Sequence, residues 1–152
     1  MRILIQRVKQ ASITIDESIY SQIGYGYLLL VGFEENDNDN VLYEMAKKTI
    51  ELRICEDENH KMNLSIQDIG GELLSVSQFT LYADVTKGRR PSFVKAAKAE
   101  TATKLYDKFN EILKSSGLKV ETGVFQADMK VSLINDGPVT VLLDSEDVCK
   151  HG

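Results

Sequence analysis

Tryptophan is absent from this chain of 152 residues, and cysteine, proline and histidine each occur only twice. Cys55 and Cys149 lie far apart, with no CxxC pair and no histidine at metal-ligand spacing, so neither a zinc site nor a disulfide framework is expected. His60 follows an acidic turn and His151 lies near the C-terminus, positions typical of surface histidines rather than of metal ligands or general bases. These shortages argue against a metal-dependent enzyme and against a Ser-His-Asp hydrolase.

Long apolar runs are equally scarce. The longest, residues 25–33, is far shorter than the about 20 residues that a membrane-spanning helix needs, and it contains Gly26 and Gly32. The chain enters a strand-like pattern at residues 3–8, which leaves no room for a cleavable export leader. We therefore expect a cytoplasmic protein without a membrane partner, folded as a single domain over residues 1–152.

Charge is distributed unevenly along the chain. The formal net charge of −5 argues against a general nucleic-acid binder, and no DNA partner is expected. Residues 86–130 nevertheless carry 10 basic and 5 acidic side chains, whereas the rest of the chain carries 8 basic and 18 acidic ones. Lys87, Arg89 and Arg90 cluster in one loop of this basic segment, while the lysines after them also suit an ordinary solvated helix face.

Alternation of apolar and polar residues, bounded by turn residues, predicts a chain rich in strands. The predicted strands cover residues 2–9, 11–16, 19–23, 27–33, 72–79, 129–134 and 139–143. Short turns between the first four imply antiparallel pairing. Gly137-Pro138 separates the last two, because proline removes a hydrogen-bond donor from a ladder.

Two helices are predicted from apolar residues at helical spacing. The first follows the capping residues 37–40 and ends near Arg53, and the second covers residues 102–113. The aromatic residues of the second helix, Tyr106 and Phe109, are expected in the core. Because strands and helices do not alternate regularly, the pattern predicts an α+β fold. The expected architecture is a curled, mostly antiparallel, barrel-like sheet with two helices packed against it.

Two short segments combine small hydroxyl side chains with bare backbone where a predicted strand ends or is interrupted. The first is Ser77-Gln78-Phe79-Thr80, and the second is residues 135–140. Backbone amides around Phe79 and Thr80 can form an oxyanion hole, a device worth about 2.7–4 kcal/mol per donor. Such a site suits acyl transfer on a labile ester, although strand-end hydroxyls also have common structural roles.

The two segments resemble the paired signature motifs of the D-aminoacyl-tRNA deacylases. The resemblance continues, in order, through most of the chain. It includes residues 5–8, residues 88–93, residues 105–106, residues 122–123, Phe125, Ala127 and Met129.

The resemblance implies a cytoplasmic homodimer that hydrolyses the ester between a D-amino acid and tRNA, with no metal or organic cofactor. It implies a catalytic position for the first motif, with Gln78 able to orient a polar substrate group. It also implies that a cis Gly137-Pro138 peptide enters the partner's pocket, so that each active site is composite. Carbonyl oxygens of that peptide would hold the substrate ammonium group, and an L side chain would collide with the backbone. Glycine, which has no side chain, would partly escape this rejection.

The remaining site residues follow from the same resemblance. Arg7 braces the Gly137-Pro138 carbonyls, and Met129 belongs to the substrate pocket. The basic segment that begins with Lys87, Arg89 and Arg90 gains a role as a tRNA contact.

Two other functions remain open on the sequence. One is a non-catalytic module that captures the aminoacylated end of tRNA, and the other is a small-molecule hydrolase of D-amino-acid esters or amides. Turnover at low enzyme concentration separates the first from an enzyme, and equal rates on free esters and on tRNA esters would favour the second.

Overall fold

One long strand organises the sheet. The computed structural model describes residues 1–151. In chain order its elements are β1 (Arg2–Ile15), β2 (Ser18–Ile23), β3 (Gly26–Gly32), α1 (Asp39–Glu51), β4 (Cys55–Glu56), β5 (Met62–Leu64), β6 (Glu72–Ser77), a 3-10 helix (Phe79–Tyr82), α2 (Ala99–Lys114), β7 (Val120–Thr122), β8 (Lys130–Asp144), α3 (Ser145–Val148) and a terminal 3-10 turn (Cys149–His151). Residues 2–8 of β1 pair antiparallel with β3, and residues 11–15 pair antiparallel with β2. β8 runs antiparallel along the other edge of β1.

The prediction of an α+β fold with a curled, mostly antiparallel sheet is confirmed. β3 pairs with β6, and β6 with β7, in parallel, so the six-stranded sheet is mixed, with the order β2-β1-β3-β6-β7 and β8 beside β1. β4 and β5 form a separate hairpin. The prediction of two helices omitted α3, whose four residues are too few to show an apolar period.

Two predicted interruptions of strands proved wrong. The predicted strands 2–9 and 11–16 are one continuous strand, β1, which ends at Ile15, and β8 continues through Gly137-Pro138. The ladder between β1 and β8 is nevertheless disturbed at that point. Gln6 pairs with Thr140 and Val8 with Asn135. Between these two pairs β1 advances by two positions and β8 by five. The extra residues bulge out of the ladder, which accommodates the proline without ending the strand.

α1 and α2 pack on the sheet and bury the larger of its two apolar clusters, as predicted. α1 follows Asn38, whose side chain accepts a hydrogen bond from Val41 N at 3.0 Å. α2 begins before the first apolar residue that predicted it, and it buries Tyr106 and Phe109 as expected. Burial of one large apolar side chain stabilises the fold by about 1.5–3 kcal/mol.

The cysteines and His60 behave as ordinary residues. Cys55 is buried, Cys149 is half-buried, and neither forms a disulfide. His60 is 87% exposed, which confirms its predicted surface position. The side chain of His151 lies outside the described part of the chain. Within residues 1–151, no helix combines the length and the apolar character needed to cross a membrane.

Candidate active site

A cavity of about 500 Å³ opens where β3 and β6 end side by side. These strands are parallel, with Val31 opposite Ser77, so their carboxyl ends meet at one edge of the sheet. The first motif contributes Ser77, Gln78 and Phe79 to the lining, and residues 125–129 form a second wall. Residues that are about 50 positions apart in the sequence therefore enclose one space, and Met129 is part of its lining.

The first motif has two unpaired backbone amides, one on Phe79, which lines this cavity, and one on Thr80, which follows it in the chain. Gln78 N donates to Val31 O at 2.7 Å, after which the chain leaves the sheet and turns into the 3-10 helix. The first amides of a helix have no acceptor within it. Among the hydrogen bonds of residues 1–151, neither Phe79 N nor Thr80 N has an acceptor. Both amides can therefore donate to a bound oxyanion.

The side chains of the first motif are fixed in different ways. The Gln78 amide donates to the Thr80 hydroxyl at 2.5 Å, and Thr80 itself is exposed and outside the cavity lining. The Phe79 ring is 54% exposed and meets the Phe93 ring edge-on, with 5.0 Å between the ring centroids. The hydroxyl of Thr80 is thus oriented by Gln78, while Phe79 forms an apolar rim.

Tyr106 anchors the second wall of the cavity, a role that its helical spacing did not reveal. Its hydroxyl donates to Ser75 O at 2.7 Å and accepts from Gly123 N at 3.2 Å. Burial raises the pKa of Tyr106, so this hydroxyl stays protonated. A Cβ atom on Gly123 would lie 2.7 Å from the Met129 sulfur, so glycine here permits the close approach of Met129.

The second motif forms a braced loop on β8. The Gly137-Pro138 peptide bond is cis, and both residues are exposed. Asn135 spans the loop because its Oδ1 accepts from Val139 N at 2.8 Å and its Nδ2 donates to the Thr140 hydroxyl at 2.9 Å. The side chain thereby replaces ladder contacts that the bulged backbone does not make.

Arg7 supports the same loop from within the protein. Its side chain is only 2% exposed, and its Nε donates to Asp136 O at 3.0 Å and its Nη1 to Ile54 O at 2.7 Å. The carboxylates of Asp136 and Glu56 lie 3.7 and 3.5 Å away. The carbonyl that Arg7 holds is therefore that of the residue before Gly137. Burial raises the pKa of the nearby Tyr25, and the positive charge of Arg7 partly opposes this.

The two motifs do not share a cavity within one chain. Gly137, Pro138 and Arg7 are absent from the lining of the 500 Å³ cavity, which contains the first motif and Met129. A single copy thus presents the pocket and the Gly137-Pro138 loop as separate features.

A short arm carries the predicted tRNA contacts. We call residues 84–92 the basic arm. Two backbone hydrogen bonds between Asp84 and Ser92, of 2.7 and 2.9 Å, close its base. Lys87, Arg89 and Arg90 are exposed on it. Hydrogen bonds from Thr86, through its hydroxyl and its backbone amide, lower the pKa of Asp84, the one carboxylate of the arm.

Within residues 1–151, no group of three or more Asp, Glu, His and Cys side chains is arranged to hold a metal ion.

The family model for D-Tyr-tRNA(Tyr) deacylase matches residues 4–144. The chain belongs to this family. The resemblance in the two motifs is therefore confirmed, and with it the expectation of a hydrolase at the level of the family. The individual site residues stay predictions, supported by the positions described above.

Relatives match along almost their whole length. A D-aminoacyl-tRNA deacylase of Exiguobacterium sp. is 56% identical over 144 residues, which cover 95% of this chain and 98% of that protein. A D-aminoacyl-tRNA deacylase of Halothermothrix orenii is 55% identical, with coverage of 95% and 97%.

Solved structures share the fold. One named c-Myc DNA Unwinding Element Binding Protein is 39% identical and has a TM-score of 0.89, covering 95% of this chain and 98% of its own. A probable eukaryotic D-amino acid tRNA deacylase has a TM-score of 0.84 at 17% identity, with coverage of 93% and 97%. At that identity the second structure supports the fold alone.

Proposed function

We propose that this chain hydrolyses the ester bond between a D-amino acid and the 3′ end of tRNA. The observation that carries the proposal is the unpaired amide of Phe79, a residue that lines a cavity of about 500 Å³, followed in the chain by the unpaired amide of Thr80. Water adds to the ester carbonyl carbon, and the amides stabilise the negative charge that develops on its oxygen. The bond to the ribose oxygen then breaks, and the tRNA leaves with a free hydroxyl.

The chain supplies no histidine at this position, so the water needs another source of activation. We assign part of this role to the ribose hydroxyl next to the ester, which belongs to the substrate. Ser77 and Gln78 line the pocket and orient the polar groups of the substrate. Thr80 has a catalytic position through its backbone amide, and its exposed hydroxyl is already engaged by Gln78.

Handedness is sensed by the Gly137-Pro138 loop of a second copy. Backbone carbonyl oxygens of this loop accept hydrogen bonds from the substrate ammonium group, and an L side chain then collides with the loop backbone. Three observations support this proposal. Gly137 and Pro138 are exposed, Arg7 and Asn135 brace the loop that carries them, and neither Gly137 nor Pro138 lines the cavity of its own chain. It requires a homodimer with composite sites.

The proposal also covers a second substrate, the tRNA contacts, the cofactor requirement and the location of the protein. Glycyl-tRNA is a second substrate because glycine has no side chain to collide with the loop. Lys87, Arg89 and Arg90 contact tRNA phosphates, and Met129 forms the pocket wall opposite the first motif. The reaction needs no metal or organic cofactor, and we place the protein in the cytoplasm, where tRNA is charged.

The test is turnover of D-tyrosyl-tRNA and glycyl-tRNA with enzyme far below substrate. We expect many product molecules per enzyme from both substrates. Stoichiometric binding without turnover would instead indicate a capture module, and equal rates on D-tyrosine ethyl ester would indicate a small-molecule esterase. A DNA duplex serves as the nucleic-acid control, since the name of one structural relative refers to DNA.

A further inference from the structure

An aromatic pair, of which Phe79 is exposed and Phe93 is half-buried, lies between the pocket and the basic arm. Phe79 borders the cavity, and its half-exposed ring meets Phe93, the residue that follows the arm. Val94, next to Phe93, is 90% exposed. A folded protein rarely leaves such a group uncovered beside a functional pocket unless something binds there.

The arm next to this pair is strongly cationic. It carries Lys87, Arg89 and Arg90, and none of the three lies within ion-pair distance of a carboxylate in the described part of the chain. Its single carboxylate, on Asp84, is engaged by Thr86. Three uncompensated cations beside an apolar ring give a surface complementary to phosphates on one side and to flat, apolar groups on the other.

That combination is the one by which proteins bind single-stranded nucleic acid: bases stack on aromatic rings while cations follow the phosphates. We propose that Phe93, next to Phe79, stacks on an unpaired nucleotide just before the aminoacylated 3′ end of tRNA, while Arg89 and Arg90 hold the neighbouring phosphates. The proposal rests on the proposed function, because the pocket fixes where the 3′ end lies. Phe93 is thereby a substrate-binding residue outside the catalytic motif.

The experiment measures the Kd of deacylated tRNA and of the same tRNA without its unpaired 3′ nucleotides, for the wild type and for variants at Phe93. The wild type should bind intact tRNA at least about tenfold more tightly than truncated tRNA, since one stacked base alone contributes about that factor. Phe93→Leu and Phe93→Ala should reduce this preference about tenfold by weakening the binding of intact tRNA alone, and Phe93→Tyr should keep it. The double variant Arg89→Gln, Arg90→Gln should weaken the binding of intact tRNA more than that of truncated tRNA, because truncation removes phosphates that the two arginines hold.

Phe93→Leu keeps most of the apolar volume but has no aromatic face, so it separates stacking on a base from packing within the protein. Thermal unfolding confirms that each variant is folded. Wild-type-like binding by Phe93→Leu, or equal weakening of both RNAs by the Phe93 variants, would overturn the proposal. So would a halved molecular mass of these variants in light scattering, since Phe93 would then face a second copy of the chain.

Turnover of D-tyrosyl-tRNA by the wild type, measured in parallel, keeps the two proposals apart. Turnover without any dependence of binding on the 3′ nucleotides overturns the stacking proposal and leaves the proposed function standing. Binding that depends on the 3′ nucleotides, without turnover, overturns the proposed function and supports the stacking.

Discussion

Arg7 shows how a single buried cation can hold a functional loop. Its guanidinium donates through Nε to Asp136 O on β8 and through Nη1 to Ile54 O beside β4. A lysine side chain has a single nitrogen, which cannot occupy both donor positions. We expect Arg7→Lys to lower the free energy of unfolding by about 1–3 kcal/mol, because at least one buried carbonyl loses its donor. The same substitution should raise the hydrolysis of L-tyrosyl-tRNA relative to the D form.

Urea unfolding and the two hydrolysis rates measure these effects. Glu56→Gln is the matched control, since Glu56 is 43% exposed and lies 3.5 Å from Arg7. An ion pair of that kind contributes less than about 1 kcal/mol. Equal losses in the Arg7 and Glu56 variants would contradict the role given to the two carbonyl contacts.

Asn135 provides a second test of the loop. Asn135→Asp keeps an acceptor for Val139 N, whereas Asn135→Leu removes it and leaves that amide without its partner. We expect the Leu variant to lose about 1–3 kcal/mol of stability and much of its preference for D substrates. The Asp variant should stay closer to the wild type in both measurements. An unchanged preference in the Leu variant, with the protein folded, would show that the loop does not depend on this side chain.

The sequence contained only part of this residue-level information. The motif that contains Asn135 was recognisable from local residues, and the support from Arg7 was implied by resemblance. The contact of Arg7 with Ile54 O was not predictable, because it joins residues 47 positions apart through the curl of the sheet.

Among the elements, α2 does more than cover the sheet. Tyr106 on α2 ties β6 to the wall that precedes β8, through Ser75 O and Gly123 N. We expect Tyr106→Phe to cost about 0.5–1.5 kcal/mol, because Ser75 O loses one of its two donors, the other being Gly123 N at 3.1 Å, while the ring is retained. The KM for D-aminoacyl-tRNA should rise as the wall loosens.

Tyr43→Phe is the control for that substitution, since Tyr43 lies on α1 and is 56% exposed. Its stability and KM should match the wild type, as is usual for exposed positions. If Tyr106→Phe were as neutral as this control in unfolding and in KM, the hydroxyl would not anchor the wall.

Elements with a local signal were the predictable ones. The amphipathic helices and the alternating strands of the first third were found from periodicity and turns, except that two of the predicted strands are the single strand β1. The parallel pairings of β6 and β7 were not, because their partners lie far away in the sequence and short strands such as Val120–Thr122 carry almost no pattern. The continuity of β8 through Pro138 was missed because a bulge can accommodate a proline.

For the molecule as a whole, the separation of the two motifs predicts that one copy is inactive. Light scattering should give twice the mass of the 17.0 kDa chain. On dilution, the activity per chain should fall together with the fraction of dimer, because in the proposed mechanism the loop that holds the substrate ammonium group comes from the second copy. Constant activity per chain in a demonstrably monomeric sample would contradict the composite site.

The most direct test compares the hydrolysis of D-tyrosyl-tRNA and L-tyrosyl-tRNA under the same conditions, with the enzyme far below both substrates. The backbone loop around Gly137-Pro138 should admit the first and reject the second. We therefore expect rapid, repeated turnover of the D ester and loss of the L ester at its uncatalysed rate. Hydrolysis of both esters at similar rates would contradict the selection of substrates by handedness.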